Sequence, residues 1–87
     1  MNPRVHSVIP RSNYTLKIQF TNQEVRAYDC LSLLDFGVFQ ELRDEAYFRK
    51  VKVFNGTVTW PNEQDICPDT LYLDSIPVPI AAQPLSA

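Results

Sequence analysis

The sequence predicts an α+β domain: an antiparallel meander and a β-hairpin, with short helices between the strands and after the hairpin. Three observations carry this. Tyr14, Leu16, Ile18 and Phe20 alternate with Thr15, Lys17 and Gln19, the two-residue period of a half-buried strand. Asn55-Gly56 separates two further alternating runs, a turn signal of the two-residue hairpin type. Between them, Leu31, Leu33, Leu34, Val38, Phe39, Leu42, Tyr47, Phe48 and Val51 recur at helix-like spacing.

Taken in order, Val5 to Ile9 reads as a first strand and Pro10-Arg11-Ser12-Asn13 as a turn. The alternating Tyr14–Phe20 run is the second strand. Thr21 to Glu24 is a polar turn, and Val25 to Asp29 is the third strand. One helical turn is expected near Leu31–Leu34. Helical segments follow over Val38–Arg43 and Glu45–Lys50, the second capped by Asp44, whose carboxylate can accept from a free backbone N–H.

The hairpin can be registered residue by residue. Asn55 and Gly56 both tolerate positive φ, which suits a type I′ turn. Phe54 then faces Thr57, Val53 faces Val58 and Val51 faces Trp60. Val51, Val53, Val58 and Trp60 share one face, and Phe54 falls on the other. Pro61 ends the second arm because it has no ladder N–H to donate. Asn62, Glu63 and Gln64 form a polar loop, and a short helix starts at Pro68, where a missing N–H costs nothing. Cys67 is a weak N-cap residue, so Asp65 is expected to assist the helix start. The helix is expected to end near Asp74-Ser75. Pro77, Pro79 and Pro84 among small residues mark 76–87 as a disordered tail, leaving 1–75 as a single domain.

Composition limits the function. The chain has 87 residues, 45% of them hydrophobic, and a domain of this size buries only about 60–65% of its unfolded surface. Association with another chain would add burial. A net charge of −2 argues against a general nucleic-acid binder acting alone, since such proteins carry basic surfaces. No apolar run has transmembrane length and no signal-peptide pattern opens the chain, so a cytoplasmic bacterial protein is the simplest reading. Two cysteines, Cys30 and Cys67, are too few for a disulfide framework. With the single histidine, His6, they make a poor zinc set.

Several residues in this chain resemble a known pattern. Val5…Tyr14-Thr15-Leu16, Asp35-Phe36-Gly37-Val38-Phe39 and the Leu42…Tyr47-Phe48…Val51 spacing all fit it. So do Gly56-Thr57-Val58-Thr59-Trp60-Pro61-Asn62 and Asp65-Ile66-Cys67-Pro68-Asp69-Thr70-Leu71-Tyr72. Together they resemble the small bacterial family of domain of unknown function 2442, over Val5 to Leu73. Family members often carry Gly where this chain has Glu63. The resemblance implies an α+β sheet-and-helix domain and brings no catalytic residues. Some relatives resemble partners in two-gene toxin–antitoxin-like modules, and others fuse the domain to a helix-turn-helix.

Each chemical candidate has a plain structural counterpart. Glu63, Asp65, Asp69 and Asp74 form an acidic group that could bind a divalent metal or act as acid and base; helix capping and solvated charge explain them more simply. Cys67 beside a helix start could be a nucleophile, yet a buried structural cysteine is the simpler expectation. Tyr14, Tyr47, Phe48, Trp60 and Tyr72 could stack on bases but are placed as core residues. Arg43, Arg49, Lys50 and Lys52 are the only basic concentration, interleaved with Asp44 and Glu45. No residue is assigned a catalytic, cofactor or metal role. The expected function is a non-enzymatic protein–protein interaction domain, and the family resemblance implies a toxin–antitoxin-like module. The partner would be another small protein, such as an adjacent gene's product, or a second copy in a homodimer. The expected surface is Trp60, Pro61, Asn62, Glu63, Gln64, Asp65 and Asp69. The alternatives are a nucleic-acid-associated regulatory subunit, or a small enzyme using Cys67 or Asp65/Asp69.

Overall fold

The apolar alternation in the second strand organises the molecule. In the computed structural model, which describes residues 2–78, three long strands form the expected meander: β1 (Val5–Arg11), β2 (Thr15–Phe20) and β3 (Val25–Asp29). β1 pairs antiparallel with β2, and β2 with β3. Leu16, Ile18 and Phe20 of β2 are completely or almost completely buried, and Val5 and Tyr28 join them from the flanking strands. Pairing places Leu16 opposite Tyr28 and Val5 opposite Phe20, so one face of the sheet makes the core.

The first turn lies later than the 10–13 expected from sequence. Pro10 and Arg11 continue β1, pairing with Leu16 and Thr15, and the chain turns through a 3-10 segment at Ser12–Tyr14. A proline fits because β1 is an edge strand, where a missing N–H need not break a ladder. The register slips between Val5 and Ser7, leaving exposed His6 as the extra residue of a bulge.

The helical region is present but tightly wound. Leu31–Leu33 and Gly37–Arg43 are 3-10 helices, followed by α1 (Glu45–Phe48). Asp44 caps α1 as expected, its carboxylate accepting from the Ala46 N–H at 3.1 Å. Leu42 and Phe48 are the fully buried anchors of this region.

The hairpin β4 (Lys52–Phe54) and β5 (Thr57–Thr59) has the derived register, with Phe54 opposite Thr57 and Val53 opposite Val58. Asn55 and Gly56 have φ of 51° and 75°, as a type I′ turn requires. The Gly56 carbonyl accepts from the Val5 N–H at 2.9 Å, which fixes the hairpin tip to β1. Burial matches the derived inward face at Val58 and Trp60 but not throughout, since Thr57 on the other face is also buried. Val58 and Trp60 are buried, whereas Val53 is 37% exposed, because β4 lies at the margin of the core. The segment after Pro61 returns to pair with the hairpin: Thr59 bridges Asp65, and the Trp60 N–H donates to the Gln64 carbonyl at 3.0 Å. The result is a three-segment antiparallel ribbon.

α2 (Pro68–Leu73) starts at the proline, and Leu71 is buried. Ile76–Pro77 then forms β6, pairing with Ala27 and Arg26 of β3. This corrects the boundary placed at 75, since the sheet order is β1-β2-β3-β6. Pro77 is admitted for the same reason as Pro10, at a sheet edge. The rest of the expected tail, 79–87, lies outside the described residues.

Arg26 locks this last crossing. Its Nε donates to the Ser75 hydroxyl at 2.7 Å and its NH2 group to the Ser75 carbonyl at 2.8 Å. Its guanidinium lies 4.7 Å above the Tyr72 ring. Glu24 completes the cluster, accepting from the Tyr72 hydroxyl and the Asn22 amide and pairing with Arg26 at 3.1 Å. Tyr72 first, then Asn22 and Arg26, hold the Glu24 carboxyl below its ordinary range.

Two predictions follow from this architecture. Gln23 and Glu63 both sit at positive φ, 73° and 70°, and both donate an N–H to the residue three before them, Phe20 and Trp60. That position in a three-residue hairpin loop favours glycine. Gln23→Gly and Glu63→Gly should each stabilise the fold by up to about 1 kcal/mol in urea denaturation, the strain relieved slightly exceeding the added chain entropy. Glu24 has a depressed folded-state pKa, so its contribution is present above the ordinary carboxylate value and fades as pH falls through the depressed one. The stability gap between wild type and Glu24→Gln, measured by urea midpoints from pH 7 to pH 3, should therefore close on acidification.

Candidate functional site

The polar loop after Pro61 owes its shape to one buried amide. Gln64 is only 6% exposed. Its side-chain oxygen accepts from the Tyr47 hydroxyl at 2.7 Å. Its Nε2 donates to the Val38 carbonyl at 3.0 Å and to the Glu41 carboxylate at 2.8 Å. Asn62 holds the same two partners: its side chain donates to Glu41 at 2.7 Å and its N–H to the Tyr47 hydroxyl at 2.9 Å. Asn62 first, then Gln64, hold the Glu41 carboxyl below its usual range. A buried polar group is stable only when satisfied, and every bonding atom of this amide is used.

The expected surface divides accordingly. Trp60, 1% exposed, and Gln64 are interior residues, a correction to their assignment as contact residues. The Trp60 indole N–H donates to the Phe48 carbonyl at 2.9 Å, so the ring is a core anchor. Pro61, Asn62, Glu63 and Asp65 are exposed. Asp69 is exposed at the start of α2, taking a 3.3 Å bond from Asn2.

Pro61, Glu63 and Asp65 meet residues outside the expected set. With Lys52, Phe54 and Thr59, and with Trp60 at the lining, they form an open cleft of about 270 Å³. Lys52 pairs with Thr59, and Thr59 bridges Asp65, so these three side chains form a row across one face of the ribbon. Phe54, two residues from Lys52, shares that face and is 57% exposed. The hairpin register already separates Phe54 from Trp60, and this was the available signal for its exposure. Pro61 and Glu63 reach the same cleft through the loop that the Gln64 clamp holds.

Charges in the cleft are unspent. Asp35 pairs with Arg43 and Glu45 with Arg49. Asp29 accepts from the Leu31 N–H, and Glu24, Glu41, Asp44 and Asp69 are engaged as described. Among the described residues, the carboxylates of Glu63, Asp65 and Asp74 have no hydrogen bond or ion pair. Two of the three line the cleft, and Lys52 is likewise unpaired.

The other chemical candidates are dispersed. Cys67 is exposed, contrary to the expectation of a buried cysteine. It caps α2 without a side-chain bond, while Asp65 commits its main chain to Thr59. The buried cysteine is Cys30, whose thiol is pushed up to about 12, chiefly by burial and then by Asp29. Among the described residues no three His, Cys, Asp or Glu side chains gather where a metal could be held. Tyr47, Phe48, Trp60 and Tyr72 pack against or within the core, with Phe48 6.1 Å from Trp60 and Tyr72 5.1 Å from Phe20. No described helix is long and apolar enough to cross a membrane.

The clamp predicts a measurable cost. Gln64→Leu leaves the Val38 carbonyl and the Tyr47 hydroxyl without their partner, and should destabilise the fold by about 1–3 kcal/mol in chemical denaturation.

No curated protein and no solved structure matches the chain. The model of the family described as protein of unknown function DUF2442 matches residues 5–77. That span runs from the first residue of β1 to the last of β6. It takes in the hairpin, the clamp and the cleft. The chain belongs to the DUF2442 family.

Proposed function

We propose that the chain is a non-enzymatic protein–protein interaction domain of the cytoplasm that binds another small protein through the hairpin cleft. The observation that carries this reading is Phe54. A large aromatic ring stands 57% exposed on the same ribbon face as Lys52, lining one cleft with Pro61, Glu63 and Asp65. Aromatic side chains are the common anchors of interfaces, and surrounding polar residues give a rim that selects the partner. The β4–β5 ribbon holds the ring on a fixed register, so little ordering is needed on binding.

Family membership supports a partner encoded next door, because some relatives resemble components of two-gene toxin–antitoxin-like modules. The nucleic-acid reading has less support: Arg43 and Arg49 are ion-paired, leaving Lys50 and Lys52 as a thin basic surface. An enzymatic reading has less support: Cys67 makes no side-chain cap bond, and the Asp69 carboxylate is taken by the Asn2 amide.

The test is co-expression with the adjacent gene and purification through a tag on this chain. The neighbouring product should co-purify with wild type and be lost, roughly tenfold or more, with Phe54→Glu. Because Phe54 is exposed, that variant should shift stability by no more than about 0.5 kcal/mol. A neighbour that never binds, or that binds the variant equally well, would overturn the reading.

A further inference from the structure

The cleft's lining also states what its partner must present, given the reading that it is a binding site. The row Lys52–Thr59–Asp65 spans two strand spacings, about 9–10 Å, with the small Thr59 in the middle. Thr59 turns its hydroxyl inward, donating to the Gln64 carbonyl at 2.7 Å. What remains is a shallow trough. Phe54 and Lys52 form one margin, Asp65 the other, and Pro61 and Glu63 close one end. The trough floor asks for an apolar side chain packed on Phe54 and Pro61.

Charge decides the neighbour of that side chain. Glu63 and Asp65 contribute two unpaired carboxylates against the single ammonium of Lys52, so the cleft is net negative on the side away from Phe54. Among the described residues, Leu73 and Ile76 are also exposed, at 65% and 66%, but only the single unpaired carboxylate of Asp74 lies beside them in sequence, not a pair. Phe36 and Val38 are 63% and 68% exposed, but the adjacent Asp35 is spent on Arg43 at 2.8 Å. A bidentate guanidinium suits a pair of carboxylates better than any neutral donor.

We infer that the cleft takes a segment of a partner protein that carries an apolar side chain next to an arginine or lysine. The apolar group seats over Thr59 against Phe54 and Pro61, and its basic neighbour pairs with Asp65 and Glu63.

The probe is a random 12-residue peptide library displayed on phage and selected on the immobilised full chain. Wild type should enrich peptides with an aliphatic or aromatic residue beside Arg or Lys. Asp65→Lys, alone or with Glu63→Lys, should weaken binding of those peptides at least tenfold and enrich acidic sequences in a fresh selection. Both residues are exposed, and circular dichroism checks that each variant is folded, the single variant serving if the double is not. Failure of wild type to enrich peptides over Phe54→Glu, enrichment of acidic sequences on wild type, or unchanged selection on Asp65→Lys would each overturn the inference. The two proposals separate cleanly. If capture of the neighbouring gene product depends on Phe54 but not on the charge reversals, the interaction reading stands and the basic-partner inference falls.

Discussion

Burial of Trp60 is the constraint on which the other elements depend. Its ring is 1% exposed and lies 6.1 Å from Phe48, which in turn packs edge-on against Tyr14 at 5.4 Å. One contact chain therefore joins the ribbon, α1 and the turn between β1 and β2. The indole N–H is satisfied by the Phe48 carbonyl, so the ring enters the core with no unpaired donor. Loss of a buried tryptophan generally costs about 3–5 kcal/mol, a large part of the total stability of about 5–15 kcal/mol typical of a small domain. The strand that leads into Trp60, Thr57–Thr59, is short and has only three ladder pairs to β4. The ring holds it.

A core this thin leaves much of the remaining order to polar links between elements. Three recur: Gln64 with Glu41 and Tyr47, Arg26 with Ser75 and Glu24, and Thr57 donating to the Ile66 carbonyl. Each ties a loop to a distant element, and none is a lone surface ion pair of the kind that contributes little. The described residues contain no buried side-chain N or O atom lacking a partner. The consequence for function is rigidity where a loop would otherwise be mobile. The 61–65 segment has the composition of a flexible linker, yet it is fastened at Asn62, Gln64 and Asp65.

Local chemistry made much of this fold legible. Asn55-Gly56 set both the turn type and the hairpin register, and Asp44 marked the start of α1. The β2 alternation marked Leu16, Ile18 and Phe20 as buried, but its first member, Tyr14, falls in the 3-10 turn before the strand and is only half-buried. Two of the misreadings trace to proline. Pro10 and Pro77 look like strand breakers, but β1 and β6 are the two edges of the sheet, where proline is permitted. Which strand becomes an edge is a tertiary outcome and leaves no mark in a local window. Gln64 failed for a related reason. A glutamine in a polar loop reads as solvated, and its burial depends on Tyr47, Glu41 and Val38, residues 17, 23 and 26 positions away. The candidate surface was thus half legible: Pro61, Glu63 and Asp65 lie in the cleft, while the hairpin residues that complete it come from a separate part of the chain.

Glu63 shows how stability and recognition pull apart at this site. Its φ of 70° is a conformation that glycine adopts freely and that costs a side chain about 1 kcal/mol or more. Strain by itself carries no functional meaning, since Gln23 adopts the same geometry in an ordinary turn. The difference lies in what each side chain does. Glu63 puts an unpaired carboxylate at the closed end of the cleft, next to Pro61 and on the same side as Asp65. Glycine at 63 would ease the backbone and remove half of that negative charge. Glutamate at 63 is thus a feature that folding does not require, and the basic partner proposed above would give its carboxylate a role.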